Sequence, residues 1–237
     1  MCTVTFWPRK RGYILGMNRD EQRARPHGLP PEEFRVSGRR VFHPREPSGG
    51  TWIAANETGT AFALINWYSI ASRVHGEAVS RGQVVLALRD VDSPEEAASR
   101  LRTLPVSSMN PFRLIGFFKG QAVVSEWQWN RDELQPIRHP WEPAQWASSG
   151  YDEPSAQRIR SEAFCAARRE SDAGSVAWLR RLHSSHGGEP GPFSTCMHRP
   201  DAVTVSYTEV QDSDEGIAMR GTSQAPCECP LHAGGVD

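Results

Sequence analysis

The sequence lacks a long apolar run, an excess of charge of one sign and a regular cysteine framework. Its longest apolar stretch, Thr60 to Trp67, has the length of a strand and falls short of the ~20 residues that cross a bilayer. The formal net charge of -1 argues against nucleic acid as the main partner. Five irregularly spaced cysteines argue against a disulfide scaffold and fit a reducing compartment. We therefore expect a cytoplasmic protein without a membrane span or a nucleic-acid partner.

The chain alternates between short strands and helices. Residues 2–7 alternate in polarity, and Ser93-Pro94-Glu95-Glu96 has the cap, proline and acids of a helix start. Residues 24–50, rich in Pro, Gly and Arg, are predicted to form a long loop. The other predicted strands are 13–15, 51–55, 60–65, 112–118, 121–127, 193–197, 202–209 and 216–220, and the helices are 81–88, 93–104, 154–169 and 175–183. This order predicts one α+β layered domain over residues 1–237, with an irregular tail from 222 to 237.

Cys2 is the most distinctive candidate for a reactive residue in the chain. Removal of Met1, which a small second residue permits, would leave a thiol beside a free α-amine. Since such an amine has a pKa of about 7.7–8.0, it can take the thiol proton and later return it to a leaving group. Chance also explains a lone Cys at this position. Its place at the start of a predicted strand, which would hold a nucleophile rigidly, favours a reactive centre.

A polar tetrapeptide, Asn18-Arg19-Asp20-Glu21, follows the second strand of the first hairpin. The hairpin brings it back beside Cys2. There Asp20 can hold the ammonium form of the terminus, and Arg19 can bind a carboxylate or stabilise a thiolate. By composition alone, a charged turn is the simpler interpretation.

Several short motifs together resemble those of the NRDE protein family, of the transport and Golgi organization type. They are Met1-Cys2-Thr3, Asn18-Arg19-Asp20-Glu21, Gly49-Gly50-Thr51-Trp52 with Asn56 and Gly59, Asn66, Ser80-Arg81-Gly82 and Asn110-Pro111-Phe112. The resemblance covers most of the chain and is strongest over residues 1–90. That family is similar to N-terminal-nucleophile hydrolases of the bile-salt and penicillin-V acylase branch. The resemblance implies a four-layer αββα sandwich of antiparallel sheets and hydrolysis of non-peptide amide bonds in small molecules.

The resemblance also implies roles for individual residues. Cys2 matches the nucleophile, Asp20 the residue that contacts its amine, and Asn66 a donor to the tetrahedral oxygen, a contact worth roughly 3–4 kcal/mol. Two positions depart from the acylase pattern. Met17 stands where an Arg is usual, and Ser149 is expected to replace an Asn. The candidate substrate-binding residues are Asn18, Arg19, Ser149, Arg158 and His198, although a solvent-facing helix position is the simpler role for Arg158.

Two alternatives to a hydrolase stay open. The resemblance also implies a haem-, lipid- or acyl-CoA-handling protein on the same fold, whereas the hydrolase needs no cofactor. A third interpretation is a metal or redox protein using the tail, whose Cys-x-Cys spacing departs from the ~2–4 residues usual between zinc-binding cysteines. The candidate contacts of the handling protein are Cys196, His198, Cys227, Cys229 and His232. Those of the metal or redox protein are Cys227, Cys229 and His232. The sequence does not indicate an oligomeric state.

Overall fold

The computed structural model describes residues 2–228. Its strands are β1 (Cys2–Pro8), β2 (Tyr13–Gln22), β3 (Leu29–Val36), β4 (Arg39–Arg45), β5 (Ile53–Asn56), β6 (Thr60–Asn66), β7 (Phe112–Phe118), β8 (Val123–Trp129), β9 (Leu134–His139), β10 (Ala144–Ser148), β11 (Ala202–Ser213) and β12 (Gly216–Thr222). Its helices are α1 (Gly82–Leu88), α2 (Pro94–Leu101), α3 (Glu153–Ala167) and α4 (Val176–Ser184). In this range no helix has the length and apolar character of a membrane span.

Two antiparallel sheets lie at the centre of the molecule. One has the strand order β10-β1-β2-β11-β12, and the other runs from β3 to β9 in chain order. Their inner faces share one apolar core, in which the rings of Phe6 and Phe117 stack at 4.8 Å. Helices α3 and α4 cover the outer face of the first sheet, and α1 and α2 cover that of the second. The layers are helix, sheet, sheet and helix, so the predicted α+β αββα sandwich is confirmed.

Three of the helices begin at a side-chain cap. Ser93 Oγ accepts a hydrogen bond from the Glu96 N–H at 3.2 Å, as the sequence predicts. Asp152 and Ser175 cap α3 and α4 in the same way. The second helix ends at Leu101 rather than near residue 104, because the chain turns directly after it. These caps satisfy backbone donors that would otherwise lack partners at the helix starts.

The prediction of a long loop over residues 24–50 is wrong, because β3 and β4 lie within it. Strand β3 is at the edge of its sheet and most of its residues are at least partly exposed. An edge strand tolerates Pro30 and Pro31, since the missing N–H groups would face solvent rather than a neighbouring strand. Its composition therefore resembles that of a loop.

Two further segments differ from the sequence prediction. The proline-rich stretch after β8 contains β9 and β10, which the sequence patterns do not predict. Residues 193–197 form turns instead of a strand, and next to them His198 makes only an isolated bridge to Val203. The first difference matters for the site, because β10 is the strand that pairs with the start of β1.

Candidate functional site

A cavity of about 260 Å³ opens where the start of β1 approaches the end of β6. It brings together four residues predicted from the sequence: Cys2, Arg19, Asp20 and Asn66. Its full lining is Cys2, Arg19, Asp20, Glu21, Arg25, Glu46, Gly49, Gly50, Thr51, Trp52, Leu64, Asn66, Ala78, Val79, Ser80, Arg81, Gly82 and Asn110. Gly50 lies in this wall with φ at +93°, a backbone conformation that favours glycine.

Cys2 is held on both sides by strands. It lies opposite Arg19 of β2 and Ser148 of β10, and it is 7% exposed. Its backbone N–H donates to Ser148 Oγ at 3.1 Å. Burial raises the pKa of the Cys2 thiol and the Asp20 carboxylate raises it further, while Arg19 and a hydrogen bond from the Asp20 backbone favour the thiolate. The thiol is therefore fixed in place and needs a nearby base to ionise.

Asp20 is bound from the helix side of the sheet. Nη1 and Nη2 of Arg160 both lie 3.4 Å from Asp20 Oδ2, and the Thr204 hydroxyl donates to Oδ1 at 2.6 Å. Both side chains of the Asp20–Arg160 pair are completely buried. Arg160 also donates to Thr3 Oγ1 at 2.8 Å, so it joins α3 to both β1 and β2.

Sequence reasoning missed Arg160, although the pattern of α3 contains a signal for it. Ala156, Arg160 and Phe164 occur at i, i+4 and i+8, and all three are buried. A charged residue in the apolar stripe of a helix needs a buried partner of opposite charge. Asp20 is that partner.

Arg19 forms a charged wall of the cavity. Its guanidinium group pairs with Glu46 at 2.6 Å and with Glu21 at 3.5 Å, and it lies over the Trp52 ring at 4.7 Å. Its side chain is only 4% exposed. Glu46 and Glu21, which also pair with Arg25, compensate this cation, so its main effect is to hold the wall and to favour the Cys2 thiolate.

Asn66 and Arg81 present donors on the opposite wall. Asn66 ends β6, and its Nδ2 donates to the Tyr68 hydroxyl at 2.8 Å. Arg81 precedes α1 and donates to the Pro111 carbonyl at 3.1 Å. Burial lowers the pKa of Arg81, while Tyr68 and Cys2 lie close enough to counter that shift. Within residues 2–228 no carboxylate forms an ion pair with Arg81, so its charge is available to a ligand.

Glu153, a second residue that sequence reasoning missed, fixes the segments behind this wall. Its carboxylate accepts from the Ser69 N–H at 2.6 Å and from the Ser149 N–H at 3.4 Å. Glu153 therefore ties the turn after Asn66 to the chain that follows β10. The sequence signal for this residue is its position, because Glu153 is the acidic residue in the first turn of α3.

The sequence matches the family model described as Transport and Golgi organisation 2 over residues 1–154. The chain belongs to the Transport and Golgi organisation 2 family. No curated protein matches the chain significantly in sequence.

Members of two hydrolase groups share the fold of this Transport and Golgi organisation 2 protein. A mutant of the conjugated bile acid hydrolase from Clostridium perfringens has a TM-score of 0.55 at 10% identity, over 94% of this chain and 92% of that chain. The penicillin V acylase from Agrobacterium tumefaciens has a TM-score of 0.52 at 11% identity, over 92% of this chain and 84% of that chain. These similarities establish an N-terminal-nucleophile hydrolase fold, and the resemblance inferred from the motifs is confirmed.

Two of the substrate-binding candidates in this family member are buried outside the cavity lining. Asn18 neighbours Arg19 on β2, so its side chain points to the opposite face of the sheet, where it donates to the carbonyls of His183 and Thr195 at 2.8 Å each. The Ser149 hydroxyl accepts from the Tyr151 N–H at 3.2 Å. The residue that contacts the Cys2 backbone is Ser148, one position before Ser149.

The remaining candidates also lie elsewhere. Arg158 is on the solvent face of α3, with its side chain 62% exposed and paired with Glu162. His198 does not line the cavity. It lies in a separate cluster with Cys196 and Cys227. Cys229 and His232, the other tail candidates, lie outside the described residues.

Proposed function

We propose that this protein is an N-terminal-nucleophile hydrolase. Its substrate is a small molecule, in which it cleaves a non-peptide amide bond or a related acyl bond. The observation that carries the proposal is the position of Cys2. Its thiol lines a cavity at the first residue of an inner strand, and its backbone nitrogen is bound by Ser148 at 3.1 Å. The conjugated bile acid hydrolase and the penicillin V acylase with the same fold support this reaction class.

The proposed reaction uses the chain terminus as the base. Removal of Met1 converts the Cys2 nitrogen into an α-amine, which takes the thiol proton while Ser148 holds it in place. The thiolate attacks the substrate carbonyl, and Asn66 donates to the oxygen that becomes negative. Collapse of this intermediate forms a thioester and breaks the C–N bond, and the leaving amine takes the proton. Water, activated by the same α-amine, then hydrolyses the thioester to release the acid.

The charges of the cavity indicate the substrate class. Arg19 is compensated by Glu46 and Glu21, whereas the Arg81 side chain pairs with a backbone carbonyl. A substrate carboxylate would pair with the charge of the half-buried Arg81 side chain. We therefore propose a small amide that carries a carboxylate, acted on in the cytoplasm, where a reducing environment keeps the Cys2 thiol free.

Intact-mass analysis of the purified protein tests the nucleophile. We expect Met1 to be absent and a β-lactam or an activated amide to add one acyl group to Cys2. The Cys2→Ala variant, whose small second residue still permits removal of Met1, should form no adduct. Cys165→Ala removes an exposed free thiol and should label like the wild type. A chain that keeps Met1, or an adduct that persists in Cys2→Ala, would falsify the proposal.

Arg81→Gln tests the carboxylate preference. We expect KM for a carboxylate-bearing amide to rise about 10–100-fold with little change in kcat, because a charge-assisted hydrogen bond contributes about 1.5–3 kcal/mol. The uncharged amide of the same substrate should show no such rise. Arg158→Gln, a change at an exposed position, is the matched control. Equal effects of Arg81→Gln on the charged and uncharged substrates would contradict this role.

A further inference from the structure

Two histidines and two cysteines converge at a place remote in sequence from the Cys2 hairpin. His186, Cys196, His198 and Cys227 each offer one ligand atom, and these atoms all lie within 4.8 Å of one another. Cys227 Sγ is 3.3 Å from both Cys196 Sγ and His198 Nε2, and Cys196 Sγ is 3.9 Å from His198 Nε2. None of the four lines the cavity described above.

We propose that these four side chains form a closed structural Zn²⁺ site. Zinc in a tetrahedral site has Zn–S bonds of about 2.3 Å and Zn–N bonds of about 2.0–2.1 Å, which places neighbouring ligand atoms about 3.3–3.8 Å apart. The distances around Cys227 fall close to this range. Two thiolates and two imidazoles suit zinc, and a site with four protein ligands has no open position for catalysis.

A ring nitrogen of His186 supports the role of this residue as a metal ligand. His186 Nε2 is buried and has no hydrogen-bond partner among residues 2–228. A bound Zn²⁺ would take both thiols as thiolates and would give His186 Nε2 a partner.

Backbone hydrogen bonds bring three of the proposed ligands together. The Cys196 N–H donates to the Ser185 carbonyl at 3.0 Å, and the His198 N–H donates to the Gly191 carbonyl at 3.1 Å. These bonds close the loop that carries His186, Cys196 and His198. The fourth ligand comes from the chain after β12, so the metal would fasten that segment to the loop.

The loop is also connected to the strand that carries the Cys2 site. Asn18 donates to the Thr195 carbonyl, and Thr204, whose N–H donates to the Met197 carbonyl, binds Asp20 through its hydroxyl. Both contacts are next to Cys196 in sequence. The expected consequence of metal loss is a less stable attachment of this loop to β2. This inference does not depend on hydrolase activity.

Metal analysis of the full chain, purified without a metal-affinity step, tests the site. We expect about one Zn²⁺ per chain, which falls to near zero in Cys196→Ser and in His198→Ala. Cys165→Ser, at an exposed free thiol of α3, should keep the metal. The double variant Cys229→Ser/His232→Ala should also keep it, because neither side chain is among the four proposed ligands.

Cobalt provides a readout that does not require activity. Co²⁺ added to the metal-free protein should give the absorption of a tetrahedral site with thiolate ligands, and Cys227→Ser should weaken it. Three results would overturn the proposal: purified protein without Zn²⁺ that also fails to bind added Zn²⁺, a Cys196–Cys227 disulfide in protein prepared under reducing conditions, or metal lost only in the Cys229→Ser/His232→Ala variant.

Discussion

Replacing Arg160 with Met is expected to lower the free energy of unfolding by about 3–5 kcal/mol, because it removes a fully buried cation that pairs with the Asp20 carboxylate. Both side chains are completely buried, and Arg160 also binds Thr3. Met has a similar length and fills most of the space, so the loss reports the charge rather than a cavity. Urea denaturation at neutral pH measures the change.

A matched variant on the same helix separates this effect from a change in α3 itself. Arg158 lies two residues earlier, is 62% exposed and forms an i,i+4 pair with Glu162. Arg158→Met should change the free energy of unfolding by at most about 0.5 kcal/mol. If Arg160→Met has an effect as small as this control, the Asp20–Arg160 pair does not stabilise the fold as argued.

The double variant Asp20→Asn/Arg160→Met completes the cycle. Asn keeps the shape of Asp20 and can still accept the Thr204 hydrogen bond, while the negative charge of the carboxylate is removed. We expect the double variant to be more stable than the sum of the two single changes predicts, by about 0.5–3 kcal/mol. Additive effects would mean that the two groups act independently despite their distance of 3.4 Å.

The sequence predicts the architecture where local patterns and burial agree. The alternation in residues 2–7 and the cap at Ser93 each correspond to an observed strand or helix start. The pattern fails at β3, β4, β9 and β10, and all of these except β4 are edge strands. An edge strand buries less of each side chain, so its composition is less constrained than that of an inner strand.

The candidate site was predictable where its residues lie close in sequence. The register of the first hairpin places Arg19 opposite Cys2. The tetrapeptide at residues 18–21 was enough to predict that these two residues lie close together. The partners from distant segments were not predictable. Ser148 and Arg160 approach the hairpin from about 140 residues away, through strand pairing and helix packing that no local pattern encodes.

The alternation of side chains along a strand explains why Asn18 lies outside the cavity lining. Motif resemblance groups it with Arg19, yet adjacent residues of a strand point to opposite faces. Asn18 therefore contacts the helix layer and the loop of the proposed zinc site. Conversely, the proximity of His186 to Cys227 depends on loop conformations, and only the folded chain shows it.

His183→Leu is expected to remove much of the acid sensitivity of the fold. Burial, assisted by the charge of Arg160, lowers the pKa of His183 to about 3. The unfolded value is about 6.5, so between these values the unfolded chain binds a proton that the folded chain does not. Stability from this group is complete above pH ~6.5 and is lost as the pH falls, at about 1.4 kcal/mol per pH unit.

Denaturation at pH 7 and at about pH 4.5 measures this contribution. The wild type should lose roughly 2–3 kcal/mol through His183, and His183→Leu should not show this loss. At pH 7 the variant should be at least as stable, since neither ring nitrogen of His183 has a hydrogen-bond partner among the described residues. His75→Gln, at an exposed position, should keep the acid sensitivity of the wild type.

The position of the ring explains why a titratable residue at this site affects the whole fold. His183 lies on α4 against Tyr207 of β11, completely buried between the helix layer and the first sheet. Its protonation would add a second positive charge near Arg160, where Asp20 is the carboxylate that compensates the existing one. Removing that neighbouring charge should ease protonation, so Arg160→Met should raise the pKa of His183 and reduce the loss of stability between pH 7 and 4.5. An unchanged acid dependence in Arg160→Met would show that burial alone keeps the imidazole neutral.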